Sequence, residues 1–227
     1  MRSRGGEKVT QSSPRILPEV VIYDVDLTMS LPAGVSGTSG INAIAHAVEA
    51  LYARERNPVI SMLAIEGIEA LYGALPVIAG NPSSADGRWN ALHGACLSGI
   101  CLGSVGMALH HKVCHILGGT LGLPHAETHA IILPHALAYN APSIPEPMAK
   151  LRKALRTDDP PMAFFELSGR VGAKRALSDI GMAVSDIEVA VEQAFERPYW
   201  NPQPLQKSAI RDLLSLAHAG APPTSRN

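Results

Sequence analysis

Apolar residues recur at helical spacing along most of the chain beyond residue 36. Between Ile41 and Tyr52 they fall three and four positions apart, which is the period that buries one face of an amphipathic helix. The preceding segment 36–40, Ser-Gly-Thr-Ser-Gly, offers N-cap residues, and the segment 54–58 ends in Asn-Pro. The pattern therefore predicts a first helix from about residue 36 to the low fifties.

The same periodicity divides the rest of the chain into further helices. A second helix is predicted over 59–75 and is expected to end at Pro76, because proline removes a helical hydrogen bond. A third is predicted over 85–109 and a short fourth over 111–116, with Pro134 interrupting the next stretch of chain. Shorter surface helices are predicted at 148–155, 162–167, 172–179, 186–195 and 206–219.

One run of β-branched residues precedes the helical region. Residues 19–27, Glu-Val-Val-Ile-Tyr-Asp-Val-Asp-Leu, have the length and composition of a strand. No later segment has the pattern of a second long strand, and a single strand has no partner to pair with. The sequence therefore predicts a mainly α protein with a short N-terminal strand whose partners lie elsewhere.

Composition and charge narrow the class of protein. Hydrophobic residues make up 46% of the chain and aromatic residues only 4%, which favours packed helices over a β-sandwich. The formal net charge is −1 without a block of like charges, so neither nucleic acid nor a membrane is expected as a partner. The polar N-terminus and the three cysteines without a CxxC pair predict a cytoplasmic protein with reduced thiols.

Histidines carry the candidate chemistry. Seven of the nine lie within residues 93–135. His111 and His115 are four positions apart, as are Asn42 and His46, so each pair projects from one helix face. A single histidine is more often structural than functional. Two such pairs on otherwise apolar faces instead predict a shared site.

His125 adds a third element to this set, because it follows His111 by fourteen positions (125 − 111) beyond a Gly-Gly loop. Together these side chains can hold a divalent metal or an anionic substrate. The remaining histidines are weaker candidates. Packing is expected for His110 and His135, a supporting role for His129 is left open, and no function is expected for His93 and His218.

The residues that carry this set resemble a known family. The segment 40–49, Gly-Ile-Asn-Ala-Ile-Ala-His-Ala-Val-Glu, is similar to the Gly-x-Asp-Ala-x-x-His-Ala-x-Glu stretch of iron-containing alcohol dehydrogenases. Residues 111–135 resemble that superfamily's second signature, and further matches at 17–32 and 201–204 extend the resemblance over essentially the whole chain. The resemblance implies a dehydroquinate synthase-like helical domain.

In metal-dependent members the ligands stand at the positions of Asn42, His46, His111 and His125, with Asp at the first. Asn supplies a neutral amide oxygen instead of an anionic one, so Fe²⁺ or Zn²⁺ should bind more weakly, although Zn²⁺ on three histidines stays open. The wording around Asn42 resembles maleylacetate reductases, which work without a metal. The resemblance therefore implies no metal.

That resemblance implies reduction of the carbon–carbon double bond of maleylacetate to 3-oxoadipate in aromatic-compound catabolism, with NADH or NADPH. It also implies a small carboxylic acid substrate and a homodimer. Histidines that become cationic near neutral pH would stabilise the charge that the reaction develops. The residues expected at the substrate are His46, His111 and His125 around it, His115 as donor or orienter, Asn42 on a substrate oxygen, and Lys112 on a carboxylate unless it is merely solvated.

No GxGxxG turn precedes the helical region, whereas family members carry an α/β cofactor domain there. We therefore expect residues 1–32 to be a remnant of the cofactor-domain sheet with its linker, and 33–227 to be a helical substrate or metal-site domain. Met1 is then an internal methionine or a late start, and the unaided chain should turn over little. Two alternatives remain: a fragment of a metal-dependent alcohol dehydrogenase and a non-catalytic truncated helical module.

Overall fold

The computed structural model describes residues 2–4, 7–9, 18–196 and 199–224. Two three-residue strands, β1 (Arg2–Arg4) and β2 (Glu7–Val9), pair antiparallel with Arg2 opposite Val9. Helices dominate the remainder of the described chain. They are α1 (Ala33–Ala50), α2 (Pro58–Gly80), α3 (Ala85–Ser104), α4 (Leu109–Thr120), α5 (His125–Asn140), α6 (Pro145–Leu155), α7 (Pro160–Arg170), α8 (Asp186–Glu196) and α9 (Lys207–Ala219).

Two prolines expected to end or interrupt helices lie inside them instead. α2 continues through Pro76, and α5 runs through Pro134. Pro134 has no N–H, so the Ala130 carbonyl four residues earlier lacks its helical partner. The buried hydroxyl of Ser168 on α7 lies 3.4 Å from that carbonyl oxygen. Packing against a neighbouring helix thus overrides the local helix-breaking signal at Pro134.

The third predicted helix, 85–109, is two helices in the structure. α3 ends at Ser104 and α4 begins at Leu109, and their axes meet at 95°. Gly106 lies at the break, where its N–H donates to the Glu55 carboxylate at 3.1 Å. The bend turns the histidines of α4 towards α1 and α5. The helix predicted at 172–179 is absent, and a short 3₁₀ turn at Ser178–Ile180 overlaps only the end of that segment.

The segment predicted as a strand, 19–27, is not one. Residues 20–24 have no ladder partner among the described residues, and a 3₁₀ turn forms at Asp26–Thr28. Val20 is 78% exposed and Ile22 is 85% exposed. A strand needs a neighbour to satisfy its backbone groups, so without one the segment forms no ladder. Residues 10–17 of the predicted remnant lie outside the described residues.

The apolar core has two parts that meet at α5. One part packs α1, α2, α6 and α7 together, and the other packs α4, α8 and α9. Ala130 and Leu133 of α5 belong to the first part, whereas Ile131 and Ile132 belong to the second. α2 is long and apolar enough to cross a membrane, but here it packs against α1 and α3. Because α5 contributes residues to both parts of the core, it fixes the side chains at its N-terminus relative to both.

The crossing of α2 and α3 depends on a glycine. A Cβ at Gly94 would lie 2.6 Å from Leu71 Cγ and 2.9 Å from the Gly67 carbonyl oxygen. We expect Gly94→Ala to lower the free energy of unfolding by about 1–3 kcal/mol, because backbone atoms must move apart. Gly73 on the exposed side of α2 has nothing within 4 Å of its Cβ position. Gly73→Ala should raise stability by ~0.5–1 kcal/mol. Urea unfolding that ranks the two variants equally would contradict this packing.

Candidate functional site

Glu49, in the last turn of α1, is a carboxylate with 0% exposure. It accepts backbone hydrogen bonds from Ala108 N and His110 N, both at 2.8 Å. These N–H groups open α4, where the helix dipole favours a negative charge. Ala108 has no side chain that can cap the helix. Glu49 therefore supplies the cap from another helix and ties α1 to α4.

The Asn201 amide completes the same helix end. Its Oδ1 accepts from Leu109 N at 3.3 Å, and its side chain exchanges hydrogen bonds with Asn140 at the end of α5. The segment 201–204, which resembles the iron-containing alcohol dehydrogenases, thus contacts the site through Asn201. It fixes the N-terminus of α4 relative to α5.

His111 is the imidazole that Glu49 contacts directly. Its Nδ1 lies 2.8 Å from Glu49 Oε2, and the ring is 4% exposed. An ionised carboxylate only accepts, so the proton of this bond resides on Nδ1. Nε2 of His111 is buried and has no hydrogen-bond partner among the described residues. The pair therefore fixes the orientation of His111 and leaves Nε2 available to a ligand.

Further imidazole rings cluster at His111. The His46 ring stacks on it with centroids 4.7 Å apart and an interplanar angle of 20°. His115 and His129 approach His111 edge-on at 6.2 Å and 5.0 Å, and His125 lies 4.3 Å from His129. The structure thus brings together the four histidines selected from the sequence. Their individual catalytic roles stay predictions.

Three residues of this cluster were missed or undervalued by the sequence reasoning. His110 and His129 are fully buried, and His110 Nε2 lies 2.9 Å from His129 Nδ1. The signal for His129 was its position four residues after His125, on the same helix face. The signal for Glu49 was a lone acid in the apolar run 43–50, since a buried acid requires partners.

Burial sets the charge of most of these rings. It lowers the pKa of His46 to about 3, with repulsion from His111 and His125 adding to the effect. Burial followed by repulsion from neighbouring histidines also lowers the pKa of His110, His115 and His129. Burial and mutual repulsion therefore favour the neutral forms of these four imidazoles. The donor or orienting role expected of His115 stays a prediction.

The two non-histidine candidates, Asn42 and Lys112, differ in their burial and contacts. Asn42 lies one turn before His46 on α1, and its Oδ1 is buried without a hydrogen-bond partner among the described residues. Such an acceptor can bind a donor group of a ligand. Lys112 is half-buried, and its Nζ lies 5.5 Å from the Tyr199 ring centroid. This cation–π contact holds the lysine beside the histidine cluster.

The residues at the positions where metal-dependent iron-containing alcohol dehydrogenases bind iron fit that metal poorly in this chain. Asn42 offers a neutral oxygen where an anionic one would offset the metal's charge. Within the described residues, one group of three His, Cys, Asp or Glu side chains has ligand atoms within 4.8 Å of one another: His110, His111 and His129. His46 and His125 are not in that group. His46 and His125 therefore do not lie within that spacing as a group with His111, and Asn42 supplies no charge to offset a divalent ion.

His135, which was expected to be structural, lies further along α5 and is 3% exposed. Burial lowers its pKa to about 4, whereas the unfolded chain titrates near ~6.5. At pH values between these two pKa values, His135 is protonated in the unfolded chain but not in the folded chain. The free energy of unfolding therefore falls as pH falls. We expect this effect to lower the free energy of unfolding by about 1.4 kcal/mol for each pH unit of acidification across that window. Urea unfolding of His135→Leu should show a correspondingly shallower acid slope, and an unchanged slope would contradict the assignment.

Comparison with known proteins places this geometry in a family. Residues 36–218 match the model described as the C-terminal part of the Fe-containing alcohol dehydrogenase family. The chain is 49% identical over 222 residues to maleylacetate reductase from Rhizobium sp. strain MTP-10005, covering 98% of this chain and 63% of that protein. It is 51% identical to maleylacetate reductase from Pseudomonas sp. strain P51, covering 95% of this chain and 61% of that protein.

Solved structures agree with the sequence matches. The crystal structure of the Rhizobium maleylacetate reductase superposes with a TM-score of 0.93 at 48% identity, covering 96% of this chain and 62% of that one. A putative alcohol dehydrogenase from Ralstonia eutropha JMP134 gives a TM-score of 0.95 at 51% identity, covering 97% and 63%. The chain thus spans less than two thirds of the length of these relatives. It belongs to the Fe-containing alcohol dehydrogenase family and matches that family's C-terminal helical domain.

Proposed function

We propose that this chain forms the substrate-side domain of a maleylacetate reductase. The observation that carries the proposal is the buried Glu49–His111 pair inside a cluster of imidazoles. Asn42 takes the position where metal-dependent relatives place an aspartate, which favours chemistry without a metal. Relatives at about half identity bear the name maleylacetate reductase, and their length exceeds that of this chain.

The proposed reaction builds negative charge on oxygen. Hydride from a reduced nicotinamide adds to the carbon–carbon double bond of maleylacetate, and the conjugated carbonyl oxygen takes up the electron pair as an enolate. A proton then reaches the neighbouring carbon to complete 3-oxoadipate. Hydrogen-bond donors placed at that oxygen lower the barrier, since they stabilise the negative charge as it develops.

His111 is the residue best placed to serve this charge. A protonated His111 would donate from Nδ1 to the Glu49 carboxylate and would have Nε2–H free for the substrate. Nε2 would then donate to the enolate oxygen. Asn42 Nδ2 would donate to a carboxylate or carbonyl oxygen of the substrate, and His46 and His125 would enclose the substrate. Lys112 would attract a substrate carboxylate.

The remaining parts of the proposal concern the whole enzyme. NADH or NADPH would bind largely outside the described helices, and the active form would be a cytoplasmic homodimer. Its substrate would be a small carboxylic acid from aromatic-compound catabolism. No metal would be required.

A chimeric protein tests the activity directly. The part of the Rhizobium reductase that precedes its matched region would be fused ahead of this chain, and NADH oxidation would be followed at 340 nm. We expect turnover that depends on maleylacetate and survives treatment with a chelator. A folded chimera that ignores maleylacetate but oxidises simple alcohols after iron is added would refute the proposal in favour of a metal-dependent dehydrogenase.

A further inference from the structure

We infer that His110, His111 and His129 form a binding site for a divalent transition-metal ion, displaced from the positions that metal-dependent family members use. The three rings come from α4 and α5 and are all buried. One nitrogen from each lies within 4.8 Å of the other two. The site shares His111 with the proposed reductase site, but its test requires only the folded chain and no reductase activity.

The spacing of the nitrogens is close to what a metal requires. A tetrahedral ion with metal–nitrogen bonds of about 2.1 Å separates its ligand atoms by about 3.4 Å. His110 Nε2 and His129 Nδ1 are 2.9 Å apart, so a small spreading of the rings would admit an ion between them. Nε2 of His111 has no hydrogen-bond partner among the described residues. It is therefore available as the third ligand atom.

Glu49 gives this group the support that metal-bound histidines usually have. A ligating imidazole commonly donates its other N–H to a carboxylate, which fixes the ring and raises its basicity. His111 does so through Nδ1 to Glu49 Oε2 at 2.8 Å. Glu49 also brings a fully buried negative charge next to the proposed cation. A neutral triad of imidazoles without this carboxylate would hold a divalent ion less well.

The donor set selects the kind of ion. Three imidazole nitrogens suit Co²⁺, Ni²⁺, Cu²⁺ and Zn²⁺ better than Mg²⁺ or Ca²⁺, which prefer oxygen. The displacement arises because His129 follows His125 by one helical turn of α5 and pairs with His110. His46 and His125, which stand at the family's ligand positions, are left outside the group.

Cobalt titration of the chain tests this site. We expect one Co²⁺ per chain, seen by calorimetry and by visible absorption bands. His129→Asn and His110→Asn should each weaken binding at least ~10-fold, since each removes one ligand. The matched variants His125→Asn and His46→Asn should change the affinity less than about threefold. Circular dichroism would establish that each variant is folded.

A second measurement keeps the test decisive if a variant unfolds. In the proton NMR spectrum of the unmodified chain with Co²⁺, three imidazole ring systems should show large paramagnetic shifts, assigned to residues 110, 111 and 129. Shifts at His46 and His125 without His110 and His129 would overturn the inference in favour of the family's positions. So would loss of cobalt binding in His125→Asn alone, or a folded chain that binds no Co²⁺ at millimolar concentration.

Discussion

Glu49→Ala is expected to lower the free energy of unfolding by about 3–5 kcal/mol, the largest effect of any single substitution considered for this chain. The variant leaves the N–H groups of Ala108 and His110 and the Nδ1–H of His111 buried without their acceptor. Each such loss carries a desolvation penalty. Chemical denaturation at pH 7 measures the effect.

Two further substitutions separate the charge from ordinary polarity. Glu49→Gln keeps one acceptor oxygen but places an amide N–H₂ against a donor, so we expect a loss of about 1–3 kcal/mol. Glu69 is an exposed acid on α2, and Glu69→Gln should change stability by less than ~0.5 kcal/mol. If Glu49→Ala were as mild as Glu69→Gln, the carboxylate would not hold α1 and α4 together.

His111→Gln in the chimeric reductase is expected to lower kcat about 10²–10⁴-fold. This range is typical for the loss of a positioned proton donor. The free energy of unfolding should fall by less than in Glu49→Ala, because the glutamine amide can still donate to the carboxylate. Steady-state kinetics with maleylacetate and denaturation of the same protein separate the catalytic effect from the structural one.

His93 provides the matched control. It stacks on Trp89 at the surface and makes an exposed contact with Glu66. His93→Gln should leave kcat and KM within about twofold of the unmodified chimera. An unchanged kcat in His111→Gln, alongside normal folding, would remove His111 from catalysis and leave it as a structural partner of Glu49.

Helix positions follow from the sequence more reliably than helix ends. The apolar spacing that defines α1 and α9 is local, so it predicts those elements within a few residues of the observed bounds. A helix was expected to end at Pro76 and the chain to be interrupted at Pro134, and both predictions are wrong because each proline lies inside a helix. The hydrogen bond that a proline removes from a helix can be dispensed with when tertiary packing holds the turn in place, and packing partners are not visible in a local pattern.

The segment 19–27 shows the opposite limit. Its composition is that of a strand, yet strand formation depends on a partner that the pattern cannot supply. In the structure Ile22 remains 85% exposed and unpaired. The β-branched composition indicated that this segment could form a strand. It forms none because the described residues offer no strand to pair with it.

The sequence predicted most residues of the candidate site but not the contacts between them. Pairs four residues apart, such as His111 and His115, share a helix face by simple geometry. The contact between Glu49 and His111 joins residues 62 positions apart, and no periodicity links them. His110 and His129 likewise meet only because α4 bends away from α3 and packs on α5. Long-range contacts of this kind require the fold.

The central claim is that Glu49 holds a proton on Nδ1 of His111 and thereby aims Nε2 into the imidazole cluster. Nitrogen-15 NMR of the histidine side chains reports which ring nitrogen carries the proton, and addition of a small dicarboxylate reports which rings meet a ligand. We expect His111 to be protonated at Nδ1 and to shift with its neighbours His46 and His125, while His218 stays unchanged. A proton on Nε2 alone, or ligand-induced shifts confined to rings outside the cluster, would contradict the account.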